Sequence, residues 1–212
     1  MKILYIDTTS NCLYSALLLN DNITGEIKEN LGKDLSVFTL ERIKEMLDNN
    51  NISPKDIDKI LVVNGPGSYT GIRIGITIAK TLAYSLNKPI STLSTLEAMA
   101  ISSNNDTDYK VPVIDARRGY VFAGIYDTNY NEVLKNQYMS LEALKCAINE
   151  LPGTYSVITN NKIDINNIEA YNPNFEEIII RHKDDECVNP HSVNPMYLKL
   201  TEAEENQEVD II

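Results

Sequence analysis

Residues 64–80, NGPGSYTGIRIGITIAK, hold four of the chain's nine glycines: Gly65, Gly67, Gly71 and Gly75. Glycine-rich turns entering helices hold phosphate through the free backbone N–H groups of the helix start. Neither familiar phosphate signature is met. Three residues rather than two separate Gly67 from Gly71, against the dinucleotide fingerprint, and Gly71 is followed by Ile72-Arg73 where a Walker loop needs Lys-Ser/Thr. Two readings of the loop stay open: an anion site, or a tight turn joining strand to helix. The other chemistry-bearing residues are sparse. His182 and His191, the two histidines, stand nine apart beside Asp184, Asp185 and Glu186. That spacing matches no standard metal site and reads as solvated surface.

The elements around the loop are clearer than the loop. The apolar run KILVV (59–63) reads as a strand, followed by the Pro/Gly turn and a helix over 71–87 with Ser68 or Thr70 as N-cap. On a helical wheel Ile72, Ile76, Ala79, Leu82, Ala83 and Leu86 form one stripe, which Ile74 and Ile78 widen. The apolar arc then covers about 200°, against the roughly 100° of an ordinary surface helix. Such a helix is either wrapped by its own domain or shared with another protein. Phe38, Leu40, Ile43, Met46 and Leu47 spread similarly around a helix over 36–49. Strands are expected at KILYIDTT, CLYSALLL and ITGEIKENL, a short strand at 89–93 and a helix over 95–103. The polar SSNNDTD (102–108) reads as a linker.

Beyond the linker the pattern starts again. Shifted by 108 positions, VPVIDARRGYVFAGIYDTNYNEVL lies on the first two strands, with Ile114-Asp115 on Ile6-Asp7. Each copy is an apolar strand ending in Asp, a short polar turn and a second apolar strand. Two βββαβα halves of this kind suggest the actin-like, ribonuclease H-like α/β architecture. There the two aspartates point into the cleft between the halves and serve a nucleotide's metal; the competing reading of Asp7 is a turn-capping carboxylate. Glycine turns are needed in both halves to admit phosphate, yet beyond Gly124 only Gly153 remains. The nucleotide cleft is therefore expected to be degenerate.

Composition sets outer bounds. With 212 residues, 43% hydrophobic and 23% charged, the chain is globular, with one large or two small domains. No apolar run spans a membrane, and MKILYIDTT enters a strand without a signal peptide. Cys12, Cys146 and Cys187 are unpaired in spacing and read as buried thiols of a cytoplasmic protein. A net charge of −11 argues against gripping nucleic acid alone, since that affinity rests on cations neutralising phosphates.

ILYIDTTS, NGPGSYTGIRIGITIAKTLA, STLSTLEAMA (91–100), IDARRGYVFAGIY (114–126) and NPMYLK (194–199) occur in that order. This succession, covering most of the chain, resembles the TsaB (YeaZ) family, small bacterial relatives of the TsaD family. The resemblance implies the actin-like fold and a part in making N6-threonylcarbamoyladenosine at position 37 of tRNAs that read ANN codons. It implies a non-catalytic subunit that binds TsaD, supports recruitment of the ATPase TsaE, forms a homodimer when alone and meets tRNA only indirectly. No catalytic, cofactor or metal residues are expected: Thr95 and Met99 stand where the catalytic relatives carry a metal-holding His pair, and neither type replaces imidazole there. Family members often carry His-Ser before the first helix, where this chain has Leu35-Ser36. The implied partner surface comprises Phe38, Ile43, Leu47, Ser68, Tyr69, Arg73, Ile74, Thr77, Ile78 and Thr81. The expected division is 1–105 and 106–190 as two actin-like units, with 191–212 packing back on the first. Competing readings are an actin-like ATPase or kinase using Asp7 and Asp115, and a metalloprotease; the glycine-poor second half weighs against the former and the missing His pair against the latter.

Overall fold

The computed structural model describes residues 1–199. Their first half forms β1 (Lys2–Asp7), β2 (Cys12–Leu19), β3 (Asn22–Asn30), α1 (Leu35–Asn49), β4 (Lys59–Val63), α2 (Tyr69–Leu86), β5 (Ile90–Leu93) and α3 (Thr95–Ile101). The second half follows with β6 (Tyr109–Asp115), β7 (Tyr120–Tyr126), β8 (Glu132–Ser140), α4 (Leu141–Asn149), β9 (Tyr155–Ile158), β10 (Ile168–Glu169) and α5 (Phe175–His182). The sheet orders are β3-β2-β1-β4-β5 and β8-β7-β6-β9-β10, the same topology twice. In each, the first three strands run antiparallel and the last two pair parallel beside the first. This is the duplicated actin-like, ribonuclease H-like α/β fold. The halves differ in one element: α2 fills the step from fourth to fifth strand, whereas residues 159–167 make that step as a loop. The segment TNNKIDINN carries four asparagines and no helical period, so it cannot offer an apolar stripe.

Strand alternation distributes the core. Leu4, Ile6, Ile60 and Val62 face α1 and α2, while Ile3, Tyr5, Leu61 and Val63 face α3 and α5. A strand covered on both faces must be apolar throughout, which is why KILVV shows no alternation. α3 is buried all round: Ala98 and Ile101 join the first sheet's core, while Leu96, Met99 and Ala100 meet Tyr126 and Ile158 of the second half. α5, which the sequence division assigns to the second unit, packs Phe175, Ile178 and Ile179 on the first sheet. Its C-terminal end is tied by the buried Lys59 ammonium, which donates to the carbonyls of His182, Lys183 and Asp185 at 2.9, 3.0 and 3.0 Å. A cation there complements the helix dipole and satisfies otherwise orphaned carbonyls. Residues 191–197 run along α2, with Val193 in its core and Lys80 donating to the carbonyls of His191 and Val193, whereas Leu198 packs beside α3 and the second half. The rest of the expected tail, 200–212, lies outside the described residues.

Two expectations need correction. Cys146 and Cys187 are exposed and Cys12 half-buried: Cys12 opens β2, Cys146 is not among the buried positions Leu144 and Ile148 of α4, and Cys187 follows α5 outside any helix or strand. His182 is not solvated: it sits on the inner face of α5, its Nδ1 2.7 Å from Asp185 Oδ2 and its Nε2 3.6 Å from Glu97. His191 is exposed and packs edge-on against Tyr84.

The glycine run has a local explanation. Ser68 caps α2 by accepting from the Gly71 N–H, and its own N–H donates to the Thr9 carbonyl at 2.7 Å. Thr8 Oγ1 donates to the Gly71 carbonyl at 2.7 Å. A Cβ on Gly67 would strike Thr9 O, one on Gly71 would strike Thr8 O, and one on Gly75 would meet Thr8 Oγ1. Three glycines thus admit the turn after β1 against the first two turns of α2. In an ordinary helix Gly→Ala stabilises by roughly 1 kcal/mol. Gly71→Ala is expected to do the reverse, lowering the unfolding free energy by about 1–3 kcal/mol through overpacking. Urea denaturation checks this, and a stabilised variant would contradict it.

Candidate functional site

The residues proposed from sequence for a partner surface divide sharply in the fold. Ile43 and Leu47 are 1% and 3% exposed in the core between α1 and the first sheet, so they support that helix and present nothing outward. The wide apolar wheel of α1 misled here, because one face of it is spent inside the molecule. Phe38 is half-buried beneath the Arg42 guanidinium, 5.6 Å from its ring. Ser68, Thr77 and Thr81 are exposed. On α2, Ile72 and Ile76 are buried whereas Ile74 and Ile78 are half-buried. These two side chains retain contact with solvent, although Ile78 also packs against the core.

Other surface residues join them. Tyr69 is 55% exposed, stacks on Tyr197 with centroids 5.4 Å apart, and lies 3.9 Å from the Arg73 guanidinium. Arg73 Nε donates to Tyr197 Oη at 2.8 Å. Pro195 and Tyr197 also line a groove of about 430 Å³ with Arg73, Thr77, Lys80 and Thr81. The chain's own 193–197 segment thus covers one flank of α2. Sequence reasoning placed the tail on the first unit but missed its role as part of this face. It also passed over Val37 and Tyr84, 64% and 68% exposed. A long apolar or aromatic side chain on the polar side of a wheel was the available signal.

Between the halves lies a cleft of about 620 Å³. Asp7 and Asp115 end corresponding strands on its two sides, with the Gly67–Thr70 turn at one wall and Tyr14, Phe122 and Tyr171 at others. Each aspartate folds its own turn in the same way: Asp7 Oδ1 accepts from Thr9 N–H at 2.8 Å, and Asp115 Oδ1 from Arg117 N–H at 2.9 Å. The symmetry ends there, since Asp7 is buried and Asp115 exposed. Asp7 Oδ1 also accepts from Thr9 Oγ1 at 2.7 Å. Thr95 and Met99, one helical turn apart on α3, both reach the cleft, and the buried Thr95 Oγ1 has no hydrogen-bond partner.

Part of what a phosphate cradle would use at this turn is already taken. The Thr9 carbonyl occupies the Ser68 N–H at the α2 start, Ser68 Oγ occupies that of Gly71, and the clearances at Gly67, Gly71 and Gly75 are filled by Thr8 and Thr9. The second half has no helix after β9 to supply a matching N-terminus. Among the described residues, no group of three or more His, Cys, Asp and Glu is arranged to hold a metal ion. Nor is any described helix long and apolar enough to cross a membrane. Asp7 therefore reads foremost as the carboxylate that shapes the turn on which α2 rests.

That role carries a cost. Burial pushes the Asp7 carboxyl up from 3.8 to about 6, partly offset by the hydrogen bonds from Thr9. A folded-state value above the unfolded one adds stability below about pH 4 that is lost as pH rises through 6. Asp7→Asn keeps the acceptor and removes the buried charge. It is expected to raise unfolding free energy at pH 8 by about 1–3 kcal/mol, with the gain fading toward pH 4. Denaturation at both pH values checks this; a variant less stable than wild type at pH 8 would contradict it.

Residues 25–175 match the family model described as TsaD, tRNA N6-adenosine threonylcarbamoyltransferase. The tRNA threonylcarbamoyladenosine biosynthesis protein TsaB of Bacillus subtilis is 34% identical over 221 aligned positions, covering 96% of each chain. The protein of the same name from Escherichia coli is 33% identical over 63% of this chain and 58% of its own. A solved structure of YeaZ from Pseudomonas aeruginosa shares the fold, with a TM-score of 0.78 at 22% identity over 93% of this chain and 99% of that one. With a full-length relative at that identity and a related family model across most of its length, the chain belongs to the TsaB (YeaZ) family of tRNA threonylcarbamoyladenosine biosynthesis proteins.

Proposed function

We propose that the chain acts in tRNA threonylcarbamoyladenosine synthesis as a non-catalytic subunit that docks the catalytic relative TsaD through α1 and α2. The observation that carries this is the outer face of α2, where Ile74 and Ile78 stay half-buried beside the exposed Tyr69, Arg73, Thr77 and Thr81. On α1, Val37 and Leu40 are exposed in the same helical layer. A soluble monomer gains nothing by keeping large apolar side chains in water, and such patches mark interaction surfaces. The same face serves the homodimer when TsaD is absent, so the two assemblies exclude each other. Once paired, the complex is the platform to which the ATPase TsaE is recruited. tRNA is held chiefly by the assembly, because −11 net charge opposes long-range attraction to this chain alone.

The cleft supports a supporting role rather than a catalytic one: its glycines seat a turn and its Asp7 is engaged by Thr9. The docking face is tested by Ile74→Glu with Ile78→Glu. Full burial of an isoleucine contributes about 1.5–3 kcal/mol, and part of that remains to be gained at each half-buried position. Two carboxylates forced into an apolar contact remove it and add a desolvation cost. Homodimer and TsaD affinity are expected to fall at least about a hundredfold, with a thermal midpoint close to wild type. Sedimentation velocity and co-purification with TsaD measure both. A folded double variant that binds TsaD normally would place the interface elsewhere, and an unfolded one would make these residues core.

A further inference from the structure

The turn between β6 and β7 displays two arginines in a conformation that arginine does not favour. Arg117, Arg118 and Gly119 have φ of 68°, 55° and 77°, three consecutive left-handed residues. Of the other non-glycine residues at positive φ, Asn20, Asp21, Asn51, Asn87 and Asn167 are types that tolerate it, leaving Tyr130 as the remaining exception. A left-handed residue with a Cβ is disfavoured, and Asn or Gly is the ordinary occupant of such a hairpin turn. Yet the sequence places arginine there twice. Strain of this kind, when it persists, marks positions kept for what the side chains do.

The side chains are also set apart from the chain's other arginines. Arg42 pairs with Glu29 and Glu45, Arg73 with Tyr197, and Arg181 with Glu177. Among the described residues neither the Arg117 nor the Arg118 guanidinium has a hydrogen bond or an ion pair, and both residues are exposed. The nearby acids are engaged: Asp115 accepts from the Arg117 N–H, and Glu142 pairs with Lys145. The strand leaving the turn begins with Tyr120, 42% exposed, whose ring stacks on Tyr138 with centroids 4.9 Å apart and planes at 13°. Lys199 Nζ lies 5.3 Å from the Tyr138 centroid. Among the described residues, two unpaired guanidiniums and the exposed ring of Tyr120 thus share one turn of a strongly acidic protein, with Lys199 over the neighbouring Tyr138.

We propose that this turn is an RNA contact, with Arg117 and Arg118 holding backbone phosphates and Tyr120 offering its ring to an unstacked base. Guanidinium forks match phosphate geometry, and single-stranded RNA pairs cationic grooves with aromatic stacking platforms. The contact is independent of the α1–α2 docking face and lies on the opposite half of the molecule. Its affinity in the isolated chain is weak, because the whole-molecule charge opposes it, and it adds to whatever RNA contacts an assembly supplies.

The test is fluorescence anisotropy of a labelled RNA stem-loop at low ionic strength, using the full chain. Arg117→Gly with Arg118→Gly is expected to weaken binding about tenfold or more and to flatten the log-affinity against log-salt slope by about 2. The same variant is expected to raise the thermal midpoint, since glycine relieves the left-handed backbone, so lost binding cannot be lost folding. Tyr120→Ala is expected to weaken binding at least about fivefold with little change in salt slope. Wild-type affinity and slope in the double-glycine variant would overturn the proposal, as would no RNA binding by the wild-type chain. Displacement of the RNA by polyglutamate at equal charge, with Tyr120→Ala silent, would assign the turn to an acidic protein instead.

Discussion

The position of α2 rests on one steric condition, the absence of side chains at Gly67, Gly71 and Gly75. Through those gaps Thr8 and Thr9 lie directly on the helix start, locked by hydrogen bonds from Thr8 and Ser68. Much else depends on that seat. The turn is held in shape by Asp7, which is buried on the Tyr5 face of β1, opposite the face that meets α2. Residues 193–197 can run along α2 only while the helix keeps its height above the sheet, and the Gly65 gap likewise opens toward the Met196 carbonyl. A glycine-rich strand-turn-helix is read by habit as a phosphate cradle. Here the same absence of Cβ atoms admits Thr8 and Thr9, and the Ser68 and Gly71 N–H groups at the helix start are satisfied from within.

Duplication explains both the likeness and the difference of the two halves. Both keep the strand order, the terminal aspartate and the Asx-type bond that folds the turn after it. Only the first keeps a helix between its fourth and fifth strands, and that helix lies on the outer side of the first sheet, away from the second half. The second half, freed of the matching helix, leaves a cleft with one engaged, buried carboxylate and one exposed one.

Much of this was legible in the sequence for identifiable reasons. Two-sided burial made KILYI and KILVV continuous apolar runs, the Ile-Asp repeat exposed the duplication, and Ser68 is one of the two N-caps offered by its type and place. The misses share a cause: a wheel or a composition does not say which side of an element the rest of the chain covers. Ile43 and Leu47 were assigned outward when the sheet takes them, and His182 was assigned to solvent although α5 turns it inward against Asp185 and Glu97. The packing of α5 across to the first sheet is a long-range crossing with no local signature. The reversed burial of Asp7 and Asp115 is likewise invisible in a repeat that makes them look equal.

The proposed work of this protein is done at the α1–α2 face, without a nucleotide in the cleft. Hydrogen–deuterium exchange on the chain alone, with TsaD, and with ATP and magnesium tests this. TsaD is expected to slow exchange within 35–49 and 69–86, and nucleotide alone to leave 7–11, 65–71 and 115–119 unchanged. Protection confined to those turns on adding nucleotide, with the helices indifferent to TsaD, would contradict it.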